Sequence, residues 1–293
     1  MRWAGGIGAI YALMALACGG KWTEQTNVDA GASAGAGSGG SNSVSSTIVV
    51  SQIPVGLNGV GAPPYFSVRA SSQQSLAQHD GSDCMTTPSD GCTVTVCQSV
   101  GGPAKSLSFL DDGTLHVAVN GAEQVAVPYR HGPGATGYSI TSGTTVLFVG
   151  RDRIALHSDG GADLPAFQDV SVIAPDAITL TAPACSPGQS QGCPPILPAH
   201  GLPIAWSGGG VGQVLASIYA AGSEQTVAIA CAFAPTLRAA TLPTDALSEG
   251  SPSWTQITLS IESLSEQVFQ LGQAQVTFDV EQLALVSSTS VGR

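Results

Sequence analysis

The sequence predicts an all-β protein of antiparallel sandwich type, and three observations support this fold class. Charged residues make up only 10% of the 293-residue chain, compared with about 25% in ordinary domains. The chain also contains 37 glycines and 18 prolines, which separate short β-branched runs of alternating polarity. No long run shows helical periodicity. We therefore expect one or two β-sandwiches, immunoglobulin-like or jelly-roll-like, after a signal peptide and a disordered linker.

The first residues follow the plan of a secretory signal peptide. Arg2 precedes an apolar run from Ala4 to Ala17, which is too short for a membrane-spanning helix of about 20 residues. The sequence Ala15-Leu16-Ala17-Cys18 resembles the lipobox of bacterial lipoproteins, although Leu16 is bulkier than is usual there. The resemblance implies cleavage before Cys18, a diacylglycerol on its sulfur and acylation of the new amino group. The rival interpretation is a secreted protein cleaved near Ala17, with Cys18 in a disulfide.

The resemblance also implies a location and a domain plan. Gly19 and Gly20 follow the cysteine where an aspartate would retain a lipoprotein in the inner membrane, so we expect an outer-membrane lipoprotein. A Gly/Ser/Ala-rich stretch follows Gly20, and its composition is typical of a disordered tether. We predict four segments: a signal peptide over 1–17, a lipid-anchored tether over 18–46, an N-terminal sandwich part over 47–174 and a C-terminal sandwich part over 175–293.

The charge of the chain excludes one class of partner. The protein has 9 lysines and arginines against 20 aspartates and glutamates, and its formal net charge is −11. Nucleic acid and anionic lipid headgroups are polyanions, and binding them needs clustered cations. The densest basic pair is Arg151 and Arg153, so nucleic acid is not an expected partner.

Alternating apolar residues and turn residues place the expected strands. Asn120-Gly121 predicts a type I′ hairpin, because both residues accept positive φ. In the strand before it, Leu115 and Val117 should face the core, which leaves His116 on the opposite face. The continuous apolar run 145–149 predicts a strand buried on both faces. The predicted strands are Thr47–Gln52, Tyr65–Ala70, Cys92–Gln98, Ser106–Leu110, Leu115–Val119, Gln124–Val127, Thr145–Val149, Arg153–His157, two within 163–183, Pro203–Trp206, Gln213–Tyr219, Thr226–Phe233, Ala239–Leu242, Thr255–Ile261 and Gln275–Leu285.

The cysteines predict three disulfides, with two possible connectivities. Setting Cys18 aside leaves six cysteines, an even number that is typical of exported proteins, and no C-x-x-C spacing suggests zinc or a redox dithiol. Two similar seven-residue loops favour Cys84–Cys92 and Cys185–Cys193, which leaves Cys97–Cys231. Strand alternation favours Cys92–Cys231 and Cys84–Cys97 instead, because Cys92 and Cys231 each share a face with core valines or isoleucines. We favour the first connectivity, and the second stays open.

The organisation as a whole resembles a group of exported lipoproteins from high-GC Gram-negative bacteria, for which no activity is established. The resemblance covers most of residues 1–250 and rests on the lipobox, the tether and the segments CTVTVC, VLFVG…DLPAF and IAWSGG…VAIACAF…LPTDAL. The chain is also similar to bacterial immunoglobulin-like sandwiches. It lacks the Cys…Trp…Cys order of true immunoglobulin domains.

The motifs for catalysis and for metal binding are sparse. The chain has no G-x-S-x-G elbow, and His157-Ser158-Asp159 cannot form a triad, because neighbours in sequence do not converge in the required order. Asp159 and Asp163 are weak calcium candidates in the loop HSDGGAD. Aspartate with glycine is equally typical of a turn. We predict no metal and no cofactor.

These observations favour a function without catalysis. We expect a membrane-anchored cell-envelope lipoprotein whose β-sandwich body serves surface structure or protein binding. Its partners would be the membrane, through the lipid anchor, and another envelope or surface protein. The alternative is an exported hydrolase with dispersed Asp/Glu or Ser/His residues on a β scaffold.

Overall fold

The structure, a computed structural model, describes residues 43–53, 63–75, 82–89, 91–99, 111–130, 137–138, 141–182, 201–222, 225–244, 247, 254–272 and 274–290. The predicted all-β class is confirmed, and no described helix is long and apolar enough to cross a membrane. The strands are β1 (Ser43–Ile53), β2 (Tyr65–Ser75), β3 (Ser82–Ser89), β4 (Cys92–Ser99), β5 (Leu115–Val119), β6 (Ala122–Val127), β7 (Tyr129–Arg130), β8 (Gly137–Tyr138), β9 (Thr141–Gly143), β10 (Arg153–Ser158), β11 (Phe167–Ile173), β12 (Ile178–Ala182), β13 (Leu202–Gly208), β14 (Gln213–Gly222), β15 (Gln225–Phe233), β16 (Ala239–Leu242), β17 (Trp254–Leu271) and β18 (Ala274–Ser290).

Nine of these strands form a central sheet in the order β3-β4-β15-β14-β17-β18-β1-β2-β9. Its middle is the long hairpin of β17 and β18, which have 18 and 17 residues and extend well beyond the predicted strands. β1 runs parallel to β18, whereas the other described strand pairs are antiparallel. A parallel pair needs a crossover connection, and here strands β2 to β17 all lie between β1 and β18 in sequence.

Two smaller sheets cover the central sheet over separate hydrophobic clusters. The four-stranded sheet β11-β10-β5-β6 contributes Leu115 and Leu156 to a cluster with Ile48 and Phe278 of the central sheet. The three-stranded sheet β12-β13-β16 contributes Trp206 to the other cluster. Residues 42–293 form one compact unit. The predicted boundary between residues 174 and 175 therefore falls where the chain passes from one covering sheet to the other.

The predicted strand over 145–149 is wrong, because this segment has no strand. Its backbone is instead held by the buried side chain of Gln52. The amide of Gln52 accepts hydrogen bonds from the N–H groups of Leu147 and Phe148, at 2.8 and 3.1 Å, and donates one to the carbonyl of Phe148 at 2.8 Å. Phe148 is 1% exposed, whereas Val146 and Val149 are 53% and 57% exposed. One aromatic side chain enters the core, and two valines face outward.

The favoured disulfide connectivity is also wrong, and the alternative connectivity is confirmed. Residues 84–92, which we expected to form a disulfide-closed loop, include most of β3 and the first residue of β4, and these two strands pair antiparallel. This hairpin places Cys84 opposite Cys97, and the pairing of β4 with β15 places Cys92 opposite Cys231. The disulfides follow this register, Cys84–Cys97 and Cys92–Cys231. Cys185 and Cys193 lie outside the described residues.

Other predictions had mixed outcomes. The Asn120-Gly121 hairpin is confirmed, with φ values of 50° and 85°, and β11 and β12 are separated at Ala174-Pro175 as expected. β1 begins at Ser43, four residues before the predicted strand Thr47–Gln52, and the predicted tether over 18–46 stays a prediction. Cys18, the signal segment and the predicted strand over 106–110 lie outside the described residues.

Candidate functional site

Two histidines lie side by side on the outer face of the four-stranded covering sheet. His116 is in β5, and its neighbours Leu115 and Val117 are both fully buried. Side chains alternate along a strand, so His116 faces away from the core, as the sequence predicted. The same alternation in β10 turns His157 outward beside the buried Leu156. The two strands are antiparallel neighbours, and the register places His116 directly opposite His157.

The two imidazole rings stack, and two carboxylates contact one of them. The ring centroids are 4.5 Å apart, and the ring planes differ by 2°. Nε2 of His116 lies 3.1 Å from Oδ2 of Asp159, and Nδ1 lies 3.2 Å from Oε2 of Glu123. His116, His157 and Asp159 each have one potential metal-ligating atom within 4.8 Å of the others, and no other such group occurs among the described residues. We call these three residues and Glu123 the histidine cluster.

The charge of the histidine cluster depends on His116. Partial burial lowers the pKa of this imidazole, but the hydrogen bonds to Asp159 and Glu123 and their negative charges outweigh it, so the pKa is raised overall. The side chain of His116 is 18% exposed, whereas those of Asp159 and Glu123 are 63% and 55% exposed. Within the described part of the chain, neither ring nitrogen of His157 has a hydrogen-bond partner. These nitrogens are therefore available to a ligand.

Ser158 holds the turn that carries Asp159. Ser158 is 2% exposed, and its hydroxyl donates to the backbone carbonyl of Asp112 and accepts a hydrogen bond from the N–H of Gly160 at 3.0 Å. The N–H of Asp159 donates to the carbonyl of Thr114 at 3.2 Å. Ser158 therefore faces inward while His157 faces outward. The three neighbouring residues do not have the arrangement of a catalytic triad.

The two weak calcium candidates have different surroundings. Asp159 contacts His116, as described above. The carboxylate of Asp163 accepts a hydrogen bond from the N–H of Asp111 at 2.8 Å, and its own N–H donates to the carbonyl of Asp111 at 3.1 Å. Asp163 thus closes a turn and is not part of the histidine cluster. Sequence reasoning missed the pairing of His116 with His157 and the contribution of Glu123, because strand order decides which residues meet.

A second group of ionisable residues is buried on the opposite face of the central sheet. Glu262 of β17 is 5% exposed, and its Oε2 atom has no hydrogen-bond partner among the described residues. Glu281 of β18 accepts a hydrogen bond from the hydroxyl of Ser51 at 2.6 Å and lies 3.7 Å from Arg69. Burial, followed by the charge of Glu281, raises the pKa of Glu262 well above its usual range and that of Asp279 to about 8. These two carboxyl groups favour their protonated form at neutral pH.

An open groove lies between β11, an edge strand of the four-stranded covering sheet, and the central sheet. It has a volume of roughly 410 Å³. Its walls are Ser171–Ile173 of β11, the segment 211–213 before and at the start of β14, and Leu264–Gln267 of β17. Glu266 is the one ionisable residue that lines it.

Comparison with known proteins adds no family to these observations. No family model matches the chain, and no curated protein matches it.

Proposed function

We propose that the protein is an exported lipoprotein of the outer membrane, anchored through lipid on Cys18, whose β body is non-catalytic and serves surface structure or protein binding. The observation that supports export best is the Cys92–Cys231 disulfide, which joins residues 139 positions apart. Cys231 is fully buried and Cys92 is 5% exposed in a hydrophobic cluster. Disulfides of this kind form and persist outside reducing compartments.

The lipobox supports an anchor rather than free secretion. Ala15 and Ala17 precede Cys18, and two glycines follow it. The first described strand begins only at Ser43. The intervening residues could span up to roughly 80 Å at about 3.4 Å per residue. Each acyl CH₂ buried in the bilayer contributes about 0.8 kcal/mol, and stable anchoring needs more than one chain. The diacylglycerol and the N-acyl chain of a lipoprotein together meet this requirement.

The segment 144–150 supports a role in protein binding. Val146 and Val149 are exposed, while Phe148 is buried between them in sequence and Gln52 fixes the backbone on either side. Apolar side chains held outward on a fixed backbone provide contact area without the entropy cost of ordering a loop. The alternative, an exported hydrolase, needs several converging ionisable groups, which the histidine cluster has and which the described lining of the groove beside β11 lacks.

The anchor is tested by expressing the full chain and a Cys18→Ala variant in a Gram-negative host. We expect the full chain in the outer-membrane fraction, with mass spectrometry showing an acylated Cys18 at its N-terminus. The variant should be soluble in the periplasm or remain as unprocessed precursor. An unmodified N-terminus at another residue, or equal membrane association of the two proteins, would refute the anchor. A Cys185→Ala variant is the matched control, because it removes a cysteine from outside the lipobox.

Absence of catalysis is tested by a screen of ester, glycoside and peptide substrates with the same purified protein. The proposal predicts no turnover above that of heat-denatured protein. Turnover that is abolished by a single Asp, Glu, Ser or His substitution, in a variant with unchanged circular dichroism, would establish the hydrolase instead.

A further inference from the structure

We propose that His116, His157 and Asp159 bind a divalent transition-metal ion of the zinc class, with the carboxylate of Glu123 beside the second ring nitrogen of His116. This site is independent of the proposed anchoring and protein binding. It lies on the outer face of the four-stranded covering sheet, where solvent reaches it, and each of its residues is in a strand or in the turn that directly follows one.

The chemistry of the three side chains selects the class of ion. Two imidazole nitrogens and one carboxylate oxygen are ligands of Zn²⁺ and of its first-row neighbours. Calcium and magnesium take oxygen ligands, so the two histidines argue against them. The three potential ligand atoms lie within 4.8 Å of one another. Three protein ligands leave a fourth coordination position open to water or to a ligand from solution.

The structure brings these atoms close together, but the two rings are stacked with nearly parallel planes, so at least one imidazole must tilt out of the stack before both bind one ion. Two ligand atoms at about 2.0 Å from a tetrahedral ion are about 3.3 Å apart, so no separation among the three ligand atoms must shorten by more than about 1.5 Å. Asp159 is 63% exposed, and the ring nitrogens of His157 have no hydrogen bond to break among the described residues. Both side chains can turn toward the ion. The β5–β10 pairing keeps the backbone of the two histidines fixed.

Glu123 provides the feature that distinguishes this group from two adjacent surface histidines. Metal-bound histidines usually donate their second ring N–H to a carboxylate, which fixes the tautomer and the ring orientation. In His116, Nε2 faces Asp159, and Nδ1 lies 3.2 Å from a carboxylate oxygen of Glu123. A modest reorientation of Glu123 would let it accept the Nδ1 proton and so leave Nε2 of His116 for the ion. Glu123 is a positioning residue in this site, and the other three are ligands.

The experiment is a titration of the full-length protein in detergent with Zn²⁺, in competition with a chromophoric chelator. We expect one equivalent to bind, and His157→Ala and His116→Ala to weaken binding at least tenfold, which is roughly the smallest effect that loss of an outer partner has on metal sites. Glu123→Gln should weaken it by about tenfold. Asp163→Asn is the matched control, because it changes a neighbouring acidic residue outside the site, and its affinity should be unchanged.

The structural role of the same residues is separated from metal binding by two further measurements. Asp159→Asn changes the most exposed ligand, so it tests the site even where a histidine variant fails to fold. Co²⁺ in place of Zn²⁺ should give visible d–d absorption in the wild-type protein that His157→Ala loses. Equal zinc affinity of the wild-type and His157→Ala proteins would overturn the proposal, as would an equal loss in Asp163→Asn. A calcium affinity higher than the zinc affinity would overturn it too.

Discussion

Removal of each described disulfide tests both the connectivity and the contribution of the long-range bond to stability. The variants are Cys92→Ala/Cys231→Ala and Cys84→Ala/Cys97→Ala. The first bond closes a loop between residues 139 positions apart, and the second closes one between residues 13 positions apart. Chain entropy predicts a loss of about 5 kcal/mol from the free energy of unfolding for the first and about 3 kcal/mol for the second. The long-range variant should therefore be less stable by about 2 kcal/mol.

Packing adds to this difference. Cys231 is fully buried and Cys92 nearly so, whereas Cys84 is exposed. Replacing a buried sulfur with hydrogen leaves a small cavity in the cluster around Trp206, and such cavities destabilise a protein in proportion to their volume. Alanine is the appropriate substitution because serine would bury an unpaired hydroxyl. The predicted order of stability is wild type, then the Cys84/Cys97 variant, then the Cys92/Cys231 variant.

Urea denaturation under non-reducing conditions, followed by circular dichroism, measures the three free energies of unfolding. Peptide mapping of the wild-type protein provides the connectivity independently. If the bonds were instead Cys84–Cys92 and Cys97–Cys231, each double variant would break both bonds, and the two variants would lose similar stability. Equal losses, or a mapped Cys84–Cys92 peptide, would therefore refute the strand register of β3, β4 and β15.

Three further predictions concern stability and are measured by urea denaturation. The pKa of Asp279 is raised to about 8 by burial and by Glu281. The protonated carboxyl group of Asp279 therefore stabilises the fold below its unfolded pKa, and this stabilisation is lost as pH rises to about 8. The free energy of unfolding of the wild-type protein should fall between about pH 4 and pH 8, and Asp279→Asn should reduce this fall. Gln52→Leu leaves three backbone groups without their partner, two of them buried, and should cost about 2–4 kcal/mol, and a cost below about 1 kcal/mol would contradict this role. Gly113→Ala should cost more than Gly121→Ala. Both glycines have positive φ, but an added Cβ at Gly113 meets the Gly160 carbonyl, whereas at Gly121 it meets nothing, and equal costs would contradict this prediction.

The local features of the fold could be predicted from the sequence. Asn120-Gly121 placed a hairpin, alternation placed His116 outside and Leu115 inside, and Ala174-Pro175 separated two strands. Each of these features depends on residues that are close in the chain. The predicted strand over 145–149 was wrong because this run has the composition of a buried strand without forming one. A glutamine about 95 residues earlier in the chain binds its backbone instead, and no local pattern shows this.

The disulfides and the histidine cluster share one reason for being hard to predict. Cys92 meets Cys231 because β4 lies beside β15, and His116 meets His157 because β5 lies beside β10. Alternation correctly predicted the face on which each of these side chains lies. The favoured disulfide connectivity was wrong because it relied on the similarity of two loops. The search for metal ligands did not pair His116 with His157 because it relied on spacing along one segment. In this all-β protein, local sequence predicts the face of the sheet on which a side chain lies, but the order of the strands in the sheet decides which residue lies opposite it.

Strand order also separates the long-range disulfide from the histidine cluster. Cys92 and Cys231 pack in the hydrophobic cluster around Trp206, which the three-stranded sheet covers. His116 and His157 lie on the four-stranded sheet, whose inner side packs on the cluster that contains Ile48 and Phe278. The disulfide therefore lies in the central sheet beneath one covering sheet, and the histidine cluster lies on the outer face of the other. The β17–β18 hairpin contributes to both clusters, with Ile261 in one and Phe278 in the other, because its strands run beneath both covering sheets.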